Sequence, residues 1–315
     1  MEQEVGHLPV MQEEVILALS PHPGSFQIDA TVGGGGHASR ILEAANPDGR
    51  LLGIDADARA IERSRRRLSG YGDRVTLRQV NFEAIGTIAP ECGFGAVDGI
   101  LMDLGVSSQQ LDEDDRGFSF RSTERLDMRF DPSRGRPASE IIASYGDSEL
   151  AAVFRRYGEE PHARRIARAI VAARGRQPIE TPARLAEVVA EAVPRVPGRR
   201  RIHPATRVFQ ALRIEVNREL ETLPLALEAC LDLLRPDGRL CVISYHSLED
   251  RIVKRFLARE TKGCVCPPDI PVCVCGRRAR VARLGAQPRR PSAEEVARNP
   301  RSRSARLRAA RRLAA

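Results

Sequence analysis

Nine residues near the N-terminus, Asp29-Ala-Thr-Val-Gly-Gly-Gly-Gly-His37, constrain most sharply what this chain can fold into. Phe26-Gln-Ile28 ahead of them reads as a short buried strand, and Ala38 to Ala45 behind them as a helix with Ile41 and Leu42 on its inner face. A strand, four glycines and a helix make the first turn of a doubly wound α/β domain, where bare backbone N–H groups meet a ligand at a helix N-terminus. Gly33, Gly35 and Ala38 fit G-x-G-x-x-A, with Gly36 beside them. Asp55 follows about 20 residues on, where a ribose-binding acid belongs. A turn that needs glycine only for tight packing gives the same pattern, and dinucleotide enzymes and methyltransferases share it.

Asp29 separates those two classes. A dinucleotide fold presents its glycine loop to a pyrophosphate, which a carboxylate at the end of the same strand repels. S-adenosylmethionine has no phosphate and carries a sulfonium and an ammonium, so an acid beside the loop suits it and disfavours NAD.

The rest of the chain continues the alternation. Arg50 to Asp57 reads as strand 2 and ends in acids, Val75 to Val80 as strand 3, and Ala96 to Met102 as strand 4, followed by Asp103-Leu-Gly-Val-Ser-Ser-Gln-Gln-Leu-Asp112. Ligands bind outside the carboxyl ends of such strands, so Asp55 is placed to accept both ribose hydroxyls. Phe82 after strand 3 is placed either against an adenine ring or in the core. From Asp112 the alternation stops, and residues 113–204 read as an insertion with helical patterns at 139–145, 148–157, 161–175 and 182–193. His203 to Leu220 returns to amphipathic helix, Pro224 opens another, Arg235-Pro-Asp-Gly238 is a turn, and Arg239 to Ser244 is strand 5. A last antiparallel strand is expected within Ser302–Arg312 despite its helix formers.

Charge is unevenly spread. The formal net charge is +8, but residues 276–315 hold thirteen arginines against Glu294 and Glu295, so the first 275 residues net −3. The basic tail is compatible with RNA binding and equally with a solvated face. At 315 residues the chain holds one large or two medium domains. No apolar run approaches the ~20 residues that span a membrane, and the polar N-terminus is unlike a signal peptide. A soluble, cytoplasmic protein with no membrane partner is expected. Seven cysteines, an odd number, do not suggest a secreted disulfide framework. Cys264, Cys266, Cys273 and Cys275 form two C-x-C pairs. They suit either a structural zinc cage, though spaced more tightly than the usual C-x₂₋₄-C, or a loop of free, redox-labile thiols.

Taken together, Asp29 to His37, Gly53-Ile-Asp-Ala-Asp57, Asp98 to Ser108, Arg116-Gly-Phe-Ser-Phe120, Leu126-Asp-Met-Arg129, His203-Pro-Ala-Thr-Arg207 and Ile243 to Arg251 resemble the bacterial 16S ribosomal RNA (cytosine-N4)-methyltransferase family, RsmH or MraW, over nearly the whole chain. The resemblance implies a Rossmann-like, S-adenosylmethionine-dependent methyltransferase sheet in two parts, 1–112 and 205–315, interrupted by an all-helical substrate-recognition insertion, 113–204. It implies methylation of N4 of a cytidine in the decoding centre, with 16S rRNA in the small ribosomal subunit or a late assembly particle as partner. Carried onto matching positions, it makes Gly35, Gly36, His37, Asp55, Phe82, Asp103 and Gln110 cofactor contacts, beside Asp29 and Gly33. Tyr245 stands where Phe is usual, and Phe130 where Met is common. The cysteine segment occurs in only some relatives. A homodimer stays open, since the sequence does not fix the oligomeric state.

For the chemistry, N4 is a poor nucleophile because its lone pair is delocalised into the ring. The site must hold the amino hydrogens with acceptors and take a proton as the methyl arrives. Asp103 is expected to position cofactor and acceptor, Ser107 or Ser108 to accept from N4, and His246 to assist. The cytidine would be unstacked to enter the pocket, with Arg199, Arg200, Arg201 and Arg207 on phosphates. Three rivals remain at this point: a methyltransferase acting on a small amine or DNA base, an RNA-binding assembly factor that keeps a cofactor fold, and, weakly, an NAD oxidoreductase.

Overall fold

The computed structural model describes residues 9–112, 114–194, 203–264, 266, 272 and 274–314. The chain divides into two compact units, one made of Met1–Gly105 with Leu220–Ala315 and the other of Val106–Glu219. In chain order the strands are β1 (Phe26–Asp29), β2 (Arg50–Asp55), β3 (Val75–Gln79), β4 (Val97–Asp103), β5 (Leu234–Ser244), β6 (Val281–Arg283) and β7 (Arg306–Arg312). The helices run α1 (Gln12–Leu19), α2 (Gly36–Ala44), α3 (Ala58–Arg67), α4 (Ile85–Glu91), α5 (Ser108–Asp112), α6 (Ala138–Ser144) and α7 (Asp147–Gly158). They continue as α8 (Ala163–Arg174), α9 (Pro182–Ala192), α10 (Ala205–Asn217), α11 (Glu219–Leu233), α12 (Ser247–Thr261) and α13 (Ala293–Arg298). No helix among the described residues is long and apolar enough to cross a membrane.

The first unit is α/β. Its seven strands lie in the order β3-β2-β1-β4-β5-β7-β6, with β1 to β5 parallel and β7 antiparallel to both of its neighbours. The strand order reverses between β1 and β4, which is where a doubly wound sheet opens a ligand crevice. Side chains alternate across the sheet and are buried on both faces, as a helix-covered parallel sheet requires. Ile28, Ile100, Met102 and Val242 join Leu227 of α11 and Phe256 of α12 in one apolar layer. Leu51, Leu101, Cys241 and Ile243 join Leu19 of α1 and Ile41 of α2 in the other. Each fully buried Leu or Ile in these layers stabilises by roughly 1.5–3 kcal/mol.

Register fixes the site. Asp29 lies opposite Gly53 of β2 and Leu101 of β4. Asp55 and Asp103 come two residues further along those strands, so all three acids share one face at the carboxyl edge. Ile243 of β5 lies opposite Asp103, which puts Tyr245, two residues on, at the same edge and face.

Four local readings are corrected. Pro224 does not open α11; the helix starts at Glu219, and Pro224 sits inside it. The lost hydrogen bond is offset by burial of the Leu223, Leu227 and Leu231 stripe. The Arg235–Gly238 turn does not precede strand 5 but interrupts it, as a register shift against β4 between Val97 and Gly99. Asp237 takes φ 67° there. The closing strand starts at Arg306, after a 3₁₀ turn over Pro300–Ser304, and β6, which the sequence did not suggest, pairs outside it. Helix α10, read as the return to the first domain, belongs to the second unit, because its buried stripe packs against α7.

The second unit is helical. Leu150 and Phe154 of α7, Ile166 and Ile170 of α8, Leu185 and Val189 of α9, and Val208 and Leu212 of α10 are all buried. The irregular stretch ahead of α6 is held by polar anchors instead. Arg116, 5% exposed, donates to the carbonyls of Arg129 and Phe130 at 2.9 and 3.0 Å. Asn217 donates to the Met128 carbonyl and accepts from the Phe130 N–H, both at 2.8 Å. The Arg116–Phe120 and Leu126–Arg129 motifs are thus the scaffold of this unit.

Candidate active site

Asp29 ends β1 and is 1% exposed. Its Oδ1 accepts from the Thr31 N–H at 3.2 Å, while Oδ2 has no hydrogen-bond partner. Burial raises its pKa to about 7 against the lowering pull of His37 and the Thr31 N–H; Asp103 and Asp55 add to the rise. Asp55 is raised to about 6, first by burial, with the N–H groups of Asp57 and Gly33 opposing. Those two groups donate to its Oδ1 and Oδ2, each at 2.9 Å. The strand 2 acid therefore pins the glycine turn and keeps one lone pair on each oxygen for a further donor.

The turn itself is built by glycine for two reasons. Gly33 and Gly35 have φ 53° and 76°, which L side chains rarely adopt. Gly36 is needed for close approach, since a Cβ there would lie 2.5 Å from Pro9 Cγ. Part of the glycine pattern is therefore packing, as the bland reading held. No side chain caps the start of α2, and His37 lies in its first turn.

His37, 6% exposed, has neither ring nitrogen hydrogen-bonded, and its Nε2 stands 3.6 Å from Asp103 Oδ2. Asp103 is held from two sides. Its N–H donates to Thr31 Oγ1 at 2.6 Å, and its Oδ1 accepts from the Tyr245 hydroxyl at 2.9 Å. Burial first, then the adjacent Asp103 carboxylate, push the Tyr245 phenol well above its ordinary range, so it stays a donor. Phe82 opens a 3₁₀ turn after β3 and packs its half-buried ring against the apolar core.

His246 turns out to be a helix cap. Its Nδ1 accepts from the Glu249 N–H at 3.4 Å, and its Nε2 lies 3.0 Å from Glu249 Oε1, off the line of a hydrogen bond. Glu249, 2% exposed, also accepts from the N–H groups of Tyr245 and His246. Beside this cap is a cavity of about 280 Å³ walled by Tyr245, His246, Arg290, Arg303 and Arg306. Arg306 is paired with Asp250 at 2.9 Å. Arg290 and Arg303 are exposed and have no ion-pair partner among the described residues. Sequence reasoning missed Tyr245, Glu249 and these arginines; the one available signal was the tail's arginine excess.

Ser107 and Gln110 lie in the second unit and form a reciprocal cap at α5. The Gln110 N–H donates to Ser107 Oγ at 3.2 Å, and the Ser107 N–H donates to Gln110 Oε1 at 3.0 Å. Ser108 begins α5. Arg207 is exposed and donates to the Glu159 carbonyl at 3.3 Å. Arg199, Arg200, Arg201 and Cys273 lie outside the described residues. The sulfurs of Cys264, Cys266 and Cys275 come within 4.8 Å of one another.

Three carboxylates beside a glycine turn, one with an unpartnered buried oxygen, suit a cationic, ribose-bearing ligand and disfavour a pyrophosphate. Residues 4–313 match the MraW methylase family. A protein named Ribosomal RNA small subunit methyltransferase H from Thermomicrobium roseum is 54% identical, over 98% of this chain and 94% of its own length. Proteins of the same name are 53% identical in Syntrophotalea carbinolica, over 98% of each chain, and 51% identical in Symbiobacterium thermophilum, over 96% of this chain and 95% of its own. This chain belongs to the MraW methylase family.

Proposed function

We infer that this protein is an S-adenosylmethionine-dependent methyltransferase that modifies N4 of a cytidine in 16S rRNA of the small ribosomal subunit. The observation that carries the cofactor assignment is Asp29 Oδ2, a buried acceptor at the carboxyl edge of the sheet without a donor. A buried acceptor of this kind costs about 1–3 kcal/mol until a donor arrives. The relatives' names supply the small-subunit RNA.

The residues present fit the cofactor. Asp29 offers its unpartnered oxygen to an ammonium donor and Asp55 its remaining lone pairs to ribose hydroxyls, while Gly33, Gly35 and Gly36 form the turn that brings these acids to the start of α2, which no side chain caps. When bound, S-adenosylmethionine supplies an electrophilic methyl group. The protein's own task is to make N4 nucleophilic. Asp103 does this by holding an amino hydrogen on Oδ2, the oxygen that Tyr245 leaves unused, which draws the nitrogen lone pair out of conjugation and takes the proton as N4 becomes cationic. A strong base is unnecessary, since the amino group turns acidic as the methyl arrives. In this reading the hydroxyls of Ser107 and Ser108, four and five residues beyond Asp103 in the chain, are the second acceptors. His246 assists by capping α12, where its Nδ1 accepts from the Glu249 N–H, while Glu249 fixes the Tyr245 backbone. Arg290 and Arg303 hold substrate phosphates near the reacting base, a role shared with Arg207 and with Arg199, Arg200 and Arg201.

Nucleoside mass spectrometry of small-subunit RNA from a deletion strain, with and without the gene restored, tests the assignment. Loss of N4-methylcytidine on deletion and its return on restoration are expected. Unchanged N4-methylcytidine would overturn it. Methylation in vitro of naked RNA against purified small-subunit particles then identifies the form of the substrate.

A further inference from the structure

The segment that follows α12 plays no part in methyl transfer as derived above, yet it has a built stem. Glu260, 1% exposed, accepts from Arg259 Nε and from Arg277 Nη2, each at 2.6 Å. Its backbone carbonyl accepts from the Arg280 N–H at 2.8 Å. These bonds tie the end of α12 to residues 277–280 and close the intervening loop at its base. Among its described residues, Val272 and Val274 are 70% and 76% exposed.

What the loop does gather is sulfur. Cys264 Sγ and Cys275 Sγ stand 3.8 Å apart, and the Cys266 sulfur lies within 4.8 Å of both. A disulfide would need about 2.05 Å. Four sulfurs on a tetrahedron around zinc, each at about 2.3 Å, are separated along an edge by about 3.8 Å, which is the Cys264–Cys275 spacing. The Cys266 N–H points at Cys264 Sγ, 3.4 Å away, which holds the two residues' positions in the cluster.

The geometry points to a structural Zn²⁺ site in which Cys264, Cys266 and Cys275 are three thiolate ligands and the fourth position of the tetrahedron takes a further donor. Binding forms three Zn–S bonds and releases the three thiol protons to solvent. The metal supplies the cross-link that the loop's exposed valines cannot, and the Glu260 stem lowers the entropy of assembling the ligands. The site is independent of the methyl-transfer chemistry and is tested without it.

The full chain, expressed with zinc and purified without chelator, is expected to retain one zinc per chain by elemental mass spectrometry. Cys264→Ser, Cys266→Ser and Cys275→Ser should each lower that content at least tenfold, while Cys92→Ser leaves it unchanged. Replacing zinc with Co²⁺ in the unmodified chain should give thiolate-to-cobalt charge transfer and the visible bands of a tetrahedral ion, a readout that needs no variant to fold. A chain that carries no zinc and shows no thiolate band with Co²⁺ overturns the proposal. So does a folded triple-serine variant that keeps its metal.

Discussion

The hydroxyl of Tyr245, just past the end of β5, donates to Asp103 Oδ1, at the end of β4, at 2.9 Å. This bond fixes the carboxylate and commits one of its oxygens, so that the other is presented to substrate. Tyr245→Phe removes the donor and keeps the ring in its half-buried place. A hydrogen bond to a charged group contributes about 1.5–3 kcal/mol, so turnover is expected to fall by roughly 10- to 100-fold. Cofactor affinity and thermal stability should change little. Single-turnover methylation with saturating cofactor measures this, and wild-type rates in the variant would remove the bond from the mechanism.

Asp29 makes cofactor binding and stability respond to pH in opposite senses. The unfolded carboxyl ionises near 3.8 and the folded one near 7, chiefly because it is buried. The folded state therefore holds an extra proton between those values. Stability falls as pH rises through that window, by at most roughly 4 kcal/mol, and stays lower above it. A cationic ligand wants the ionised form, so cofactor affinity should rise with pH up to about 7. Calorimetry near pH 6.5 in buffers of different ionisation enthalpy should record proton release on binding. Asp29→Asn should melt several degrees higher than the parent at pH 8, match it near pH 4, and bind cofactor about 100-fold more weakly.

The placement of the three acids was legible because each of them ends an apolar run. Asp29, Asp55 and Asp103 could be placed at one edge from strand periodicity alone. The register that adds Tyr245 could not, since β5 follows β4 by more than a hundred residues of another unit and nothing local sets their alignment. His246 was expected to assist the chemistry; its capping role shows only once α12 is seen to start at Ser247, which makes Glu249 the third residue of the helix. Helix α10 shows the same limit, for its stripe announces burial without saying against what. In β7 local preference is overridden outright: Leu307, Ala309 and Ala310 are buried in a strand whose composition favours helix.

Arg290 and Arg303 give a test of where the RNA lies. Both are exposed, flank the cavity at His246 and lack an acidic partner among the described residues. Arg290→Ala and Arg303→Ala should each raise the KM for RNA several-fold with little change in kcat. Each lost phosphate contact to a single strand should also lower the slope of log affinity against log salt by about 0.7. Filter binding across a salt series gives that slope. A fall in kcat without a change in slope would mean that the arginines shape the site instead of holding backbone.

Arg308 is the buried counterpart. Its guanidinium, 9% exposed, reaches Asp250 with Nε to Oδ1 at 2.7 Å and Nη2 to Oδ2 at 3.2 Å, while Arg306 adds a third bond at 2.9 Å. Burial opposes ionisation of Asp250, but the hydrogen bonds from Arg308 and Arg306 more than offset it and hold its pKa below the ordinary 3.8. The pairing therefore stabilises at neutral pH, and that stability is lost as pH falls below about 4 through the folded pKa. It ties α12 to β7 and so fixes the strand that covers β5. Arg308→Ala removes the main partner from a carboxylate only 8% exposed, and breaking such a pair costs roughly 3–5 kcal/mol. Arg308→Met with Asp250→Leu removes both charges and should recover most of that loss. Urea unfolding of the two variants at pH 7 decides the matter: if Arg308→Ala unfolds at the wild-type midpoint, the ion pair does not hold β7 in place.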